Sequence, residues 1–175
     1  MRALGPGSVS SFLKIILDVV YAALWISIGA VALALLAALL FSFNPDLFPN
    51  VMSTDAAQVA AKGPLFAGML LAFALSIGGV LVIVDALRRI FMTLTAGDPF
   101  HPDNVRRLRL IGVMLAALEL GRYVVWGLGP LVPWIKRSQA GGFNLTAWFS
   151  VLVVFVLAEV FREGARLRRE AELTI

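Results

Sequence analysis

Four apolar runs, at about residues 21–41, 65–84, 110–128 and 143–161, constrain this chain more than any other feature. Each approaches the roughly 20 residues that a helix needs to cross a ~30 Å hydrocarbon core at ~1.5 Å per residue. The expected fold class is therefore all-α: a polytopic membrane protein, a four-transmembrane-helix bundle. Four crossings use up most of the 175 residues, so a single integral membrane domain over residues 1–175 is expected, with no separate soluble domain. Hydrophobic residues make up 60% of the chain and the mean hydropathy is +0.90, above what a water-soluble domain of this length carries. The first run is much longer than the ~7–15 residues of a signal-peptide core, and no small-residue cleavage site follows it.

The distribution of charge sets the orientation. Arg2 and Lys14 precede the first run, and Arg88, Arg89, Arg106, Arg107 and Arg109 flank the turn at 95–104. Arg162, Arg166, Arg168 and Arg169 follow the last run, which places eleven of the fifteen basic residues on one side. Lys62, Lys136 and Arg137 stand in the two opposite loops, and Arg122 lies within the third run. Basic residues accumulate on the cytoplasmic side of short loops, so both termini and the 95–104 turn are expected there. The net charge of +4 is then a matter of topology and anionic lipid, and direct nucleic-acid binding is not expected.

The pattern predicts helix from residue 12 to 43, with Ser10 or Ser11 as cap and Tyr21 and Trp25 as an aromatic belt. Lys14 and Asp18, spaced i,i+4, are expected to pair. The second helix should outrun its apolar stretch, with Asp85 meeting Arg88 and Arg89. Gly97 should end it in a left-handed conformation before a turn at Asp98-Pro99. Asp103 and Asn104, after Pro102, should cap the third helix. His101, a lone turn residue, is expected to be solvated. The fourth run should continue as a charged cytoplasmic helix over 162–175. The outer loops are expected at 44–63, with a short helix over 55–62, and at 129–144. Small residues form stripes expected to mediate close packing: Ala23, Ser27, Ala30, Ala34 and Ala38 on the first span, Gly68, Ala72, Ser76 and Gly79 on the second, Gly112 and Ala116 on the third.

Glu119 and Arg122 are the charges placed near the middle of a span. A charge at that depth costs several kcal/mol unless it faces protein or water. Two readings stand: a binding or proton-handling site, or a structural ion pair that sets helix register. Asp18 resembles the single membrane carboxylate of a proton-coupled exporter, although pairing with Lys14 is the simpler reading. Glu159 is expected to pair with Arg162. The chain has no cysteine, which removes disulfides and thiolate metal sites, and its single histidine removes a histidine-rich one. No metal and no cofactor is expected. Phosphate-binding glycine loops, nucleophile elbows and zinc-protease motifs are missing, and Ser27, Ser76 and Ser150 have no intramembrane histidine to activate them. The expectation is a non-enzymatic protein.

Two segments carry a resemblance. Gly97-Asp-Pro-Phe-His-Pro-Asp-Asn-Val-Arg-Arg-Leu-Arg-Leu-Ile-Gly112 and Leu157-Ala-Glu-Val-Phe-Arg-Glu-Gly-Ala-Arg-Leu-Arg-Arg-Glu-Ala-Glu-Leu-Thr-Ile175 are similar to the central and closing signatures of a bacterial four-span family, domain of unknown function 2975. The resemblance implies an inner-membrane, multi-pass protein without an established activity, often encoded beside a small helix-turn-helix regulator. It carries over Gly97, Asp98, Pro99, Phe100 and Asn104, with Arg106 and Arg107, and then Phe161, Arg162, Gly164 and Leu167. These residue types suit turns, caps and helix packing, and hence docking, on the cytoplasmic face. The first span and first outer loop show no such likeness. The expected function is a sensor or docking partner for a cytoplasmic transcriptional regulator, with membrane lipid and a second copy of the chain as further partners. The alternative is a small-solute transporter or lipid-binding bundle that uses Glu119 and Arg122.

Overall fold

A computed structural model gives the fold and describes residues 9–43, 63–128 and 142–173. Four helices follow one another: α1 (Val9–Phe43), α2 (Gly63–Thr95), α3 (Pro102–Leu128) and α4 (Leu145–Leu173). The described residues are all-helical, as expected for a membrane helical bundle. The outer loops at 44–63 and 129–144, with the short helix at 55–62 and Lys62, Lys136 and Arg137, fall almost wholly outside the described residues.

Three of the helices are long and apolar enough to cross a membrane: Phe12–Leu40 in α1, Ala67–Thr95 in α2 and Leu145–Ala171 in α4. The third helix, α3, is not among them. It carries Arg106, Arg107 and Arg109 in its first turns and Glu119 and Arg122 further on. It nevertheless lies alongside its neighbours, because α1 packs on α2, α2 on α3 and α3 on α4.

Consecutive helices run antiparallel, and side-chain contacts fix which ends meet. Arg88, near the end of α2, contacts Asp18, near the start of α1. Arg168, near the end of α4, contacts Asp98 in the turn before α3. Both chain ends of the bundle and the 95–104 turn therefore lie together. Near this end sits the core: Ala86 and Ile90 of α2, Leu108 and Ile111 of α3 and Ala158 of α4, with Phe161 and Leu115 packed against them. In a bilayer lipid is as apolar as these side chains, so dense packing and satisfied polar groups hold such a core, not expulsion from water.

Helix boundaries correct the expected caps. The first helix begins at Val9, so Ser10 and Ser11 lie in its first turn and not ahead of it. Nothing between Val9 and Phe12 interrupts a helix, and the nearest breaker is Gly7. The third helix begins at Pro102, a position that needs no N–H donor, and this moves the cap to His101. His101 Nδ1 accepts a hydrogen bond from the Asp103 N–H at 3.2 Å, and its carbonyl accepts one from the Asn104 N–H at 2.9 Å. At the start of α4, Asn144 Oδ1 accepts from the Ala147 N–H at 3.2 Å, and the helix starts at Leu145, directly after the loop expected at 129–144.

The small-residue stripe on α1 is in part displaced. Ala23, Ala30 and Ala34 are exposed, whereas Ser27 and Ala38 are half-buried beside Leu17, Tyr21, Leu24, Ile28, Val31 and Leu35 on the α2 side. Lipid solvates either face equally well, so composition alone did not mark the packed one. On α2, Ala72 and Gly79 are half-buried while Gly68 and Ser76 are exposed.

Candidate functional site

The site grows from the end of α2. Gly97 has φ +85°, the left-handed conformation that ends a helix without a Cβ penalty. The Gly97 N–H donates to the Leu94 carbonyl and the Asp98 N–H to the Thr93 carbonyl, both at 3.1 Å, the paired closure of a Schellman motif. This turns the chain by Asp98-Pro99-Phe100 directly into Pro102.

Asn104 locks the turn. It is fully buried. Its Nδ2 donates to Thr93 Oγ1 at 2.8 Å and to the Pro99 carbonyl at 3.1 Å. Its Oδ1 lies 2.9 Å from Thr93 Oγ1 and accepts from Arg107 Nη1 at 3.0 Å. The same Arg107 nitrogen reaches the Arg89 carbonyl at 3.2 Å. One amide thus ties the last turn of α2, the Pro99 carbonyl and the first turn of α3. The sequence suggested Asn104 as a cap; the structure uses it as the centre of an interhelical network. A buried amide so fully satisfied specifies one arrangement, because each alternative strands a polar group.

The end of α4 closes over this turn. The Phe100 ring stacks on Phe161 with centroids 5.6 Å apart and planes tilted by 52°. Phe100 also presses on Gly164: a Cβ added there would stand 2.6 Å from Phe100 Cε1. Arg168 pairs with Asp98 across the same contact. Five of the motif residues, Gly97, Asp98, Phe100, Phe161 and Gly164, therefore belong to one joint. Pro99 enters through its carbonyl. Arg106 and Leu167 face outward, and Arg162 pairs with Glu159 on its own helix, as expected.

The other charged residues are rearranged from expectation. Asp18 does not pair with Lys14. Its carboxylate receives Arg88 Nε at 2.7 Å and Nη2 at 2.6 Å, and that guanidinium lies 4.3 Å from the centre of the Tyr21 ring. Arg88 consequently leaves Asp85 to Arg89, which donates through Nε at 2.8 Å. Helical spacing reveals only neighbours on the same helix, and Arg88 on α2 is the bidentate partner that α1 meets.

Glu119 and Arg122 do pair. Arg122 Nη2 lies 2.6 Å from Glu119 Oε1, and Nε lies 3.1 Å from Oε2. Glu119 is buried on the face it shares with Gly112, Ala116 and Tyr123. The pair stands opposite the start of α4 and not near the middle of the α3–α4 pair. Arg122 Nη2 reaches the Gly142 carbonyl at 3.3 Å, and the Tyr123 hydroxyl accepts from the Asn144 N–H and Trp148 Nε1, each at 3.2 Å. Glu119 and Arg122 thus belong to the end of the bundle remote from the 95–104 turn.

Two surface cavities flank the joint between α1, α2 and α3, and neither includes Glu119. One, of about 30 Å³, lies between Lys14, Asp18 and Arg88. The other is an open groove of about 410 Å³ between Tyr21, α2 and α3. What the molecule builds most completely is a rigid, basic, polar end in which α2, α3 and α4 converge.

No curated protein and no solved structure matches the chain. The family described as "Protein of unknown function (DUF2975)" matches over residues 48–175, which takes in α2, α3, α4 and both motif segments. The match covers well over half of the sequence, and the chain belongs to this family of proteins of unknown function.

Proposed function

We propose that this is a non-enzymatic, four-span protein of the bacterial inner membrane, whose cytoplasmic end docks a soluble helix-turn-helix regulator. The four-span reading follows from antiparallel order: if α2 and α4 each cross, the helix between them crosses too, despite Glu119 and Arg122. These two charges neutralise each other, and the Gly142 carbonyl takes a further Arg122 proton. The positive-inside bias then puts the 95–104 turn and the α4 extension in the cytoplasm.

One observation carries the docking role. The end of α4 is held on the turn by Phe100, Phe161, Gly164 and the Asp98–Arg168 pair, so a preformed surface is presented and no ordering cost falls on binding. Arg106, Leu167 and Arg169 stand exposed on it. A helix-turn-helix protein held here would be kept from its operator.

The test is co-purification of the solubilised protein with the regulator, alongside transcription from the regulator's target. The regulator should be recovered with the wild type and lost with the Arg106→Glu/Leu167→Glu double variant, which touches no internal contact. Recovery of no helix-turn-helix protein, with transcription unaltered on deletion, overturns the reading. The transporter alternative ranks second, because Arg122 already occupies the Glu119 carboxylate. Solute flux that disappears in Glu119→Gln would put it first.

A further inference from the structure

The 410 Å³ groove between Tyr21, α2 and α3 has a division of chemistry that the docking surface does not use. Leu81, Val82 and Leu110 line its lower part and Arg89 and Arg107 its upper part, with Tyr21 as one wall. Along α2, Leu81 to Arg89 spans ~12 Å at ~1.5 Å per residue. The boundary between apolar and charged sequence falls at the same level on both helices, at Asp85 on α2 and just before Leu110 on α3. With the topology proposed above, on which this inference rests, the groove runs from the hydrocarbon into the headgroup layer. Its volume lies within the roughly 300–1,000 Å³ of ordinary ligand sites.

We propose that this groove binds one anionic phospholipid, its phosphodiester on Arg89 and Arg107 and an acyl chain along Leu81, Val82 and Leu110. Arg89 is more than half exposed and engages Asp85 through Nε, a contact that does not use its two terminal nitrogens. Arg107 holds Asn104 and the Arg89 carbonyl with Nη1, and this fixes its guanidinium at the rim. The lining holds two guanidinium groups and one carboxylate, Asp85, while Asp103, outside the lining and half exposed, stands 4.0 Å from Arg107 Nη2. Within the lining one positive charge remains, which matches the one negative charge of a phosphatidylglycerol headgroup. A phosphatidylcholine headgroup offers the same phosphate with its charge already cancelled. The apolar floor selects a lipid over a free phosphate ester, which has nothing to place there.

The experiment is native mass spectrometry of the detergent-solubilised protein after exposure to phosphatidylglycerol, to phosphatidylcholine, or to phosphatidylglycerol with excess glycerol phosphate. The expected result is one phosphatidylglycerol retained per chain, favoured over phosphatidylcholine about fivefold, the preference that one basic residue confers near a membrane surface. Arg89→Gln should abolish the preference. Val82→Trp, which fills the groove without touching a charge, should abolish retention of either lipid, and Arg169→Gln on the α4 tail should change nothing. Equal retention of the two lipids by wild type, retention that survives Val82→Trp, or displacement of the lipid by glycerol phosphate each overturns the proposal. The readout involves no regulator, so failure of the docking reading and failure of this one are separable.

Discussion

No residue in the apolar window of α1 is buried, whereas α2, α3 and α4 share a core and a polar network. The family match begins at residue 48, beyond the end of α1 at Phe43. Yet α1 is as apolar as α2: both windows have a hydropathy of 2.5. Hydropathy therefore says nothing about which apolar helices become structural centres. Centres form where polar groups have one set of partners, as Asn104 does, since in lipid an apolar face is equally content with an acyl chain. The first helix is joined chiefly to α2, along half-buried Leu17, Leu24, Ile28 and Val31 and through Asp18, Tyr21 and Arg88. The other three share the core of Ala86, Ile90, Leu108, Ile111 and Ala158 and, at the turn, the Asn104 network and the Asp98–Arg168 pair.

The largest expected effect comes from Asn104→Ala, which attacks the centre. It takes the amide away from Thr93 Oγ1 and Arg107 Nη1, which keep the Ile90 and Arg89 carbonyls, and removes the side-chain donor to the Pro99 carbonyl. A buried polar group left unpaired costs about 1–3 kcal/mol, and several bonds are lost here together. Thermal unfolding in detergent should show a clear drop in Tm, greater than for any single polar change in α1. If Asn104→Ala unfolds at the wild-type temperature, the contrast between α1 and the other helices is broken.

A smaller, local effect is expected from Gly164→Leu. Its Cβ would already stand 2.6 Å from Phe100 Cε1 and 2.7 Å from Phe100 Cδ1. Overpacking of this kind costs about 1–3 kcal/mol where the core cannot yield. Here Phe100 is partly exposed and can swing outward, so the cost should stay near the lower figure and fall on the joint. Trypsin cleavage at Arg166, Arg168 and Arg169 should accelerate, with little change in the global unfolding temperature. A global loss as large as that of Asn104→Ala would show that the α4 extension is part of the centre and not a cover on it.

Much of this centre was legible in the residues. Gly97 reads as a helix stop because few other residues adopt its φ, and the second helix does end there. Glu119 and Arg122 read as a pair from their i,i+3 spacing. What was not legible follows one rule: local spacing cannot name a partner on another helix. Asp18 therefore seemed to belong to Lys14, Arg88 to Asp85, and Asn104 to its own helix terminus. His101 seemed merely solvated because the cap position depends on where Pro102 places the first turn. The face of α1 that packs was illegible for a further reason. Its small residues suggested close approach, but α2 accepts the larger side chains of Leu24, Ile28 and Val31 instead.

The smallest effect tests the other side of the contrast. Asp18→Asn removes the carboxylate that Arg88 holds through two nitrogens, but the Arg88 and Asp18 side chains are 31% and 42% exposed. A pair this accessible is worth about 0.2–1 kcal/mol, since water solvates either partner once the other is gone. Arg88 also keeps the face of Tyr21, and an asparagine oxygen can still accept one of its protons. Global Tm should therefore shift little. The sensitive measurement is the separation of α1 from α2, read by disulfide crosslinking between cysteines placed at Val31 and at Ala72, each half-buried on its helix. Crosslinking should slow in Asp18→Asn while the unfolding temperature of the α2–α4 unit stays constant. If both fall together, α1 is part of the cooperative unit despite burying nothing. The apolar contact between α1 and α2 would then matter more than the polar pair that marks it.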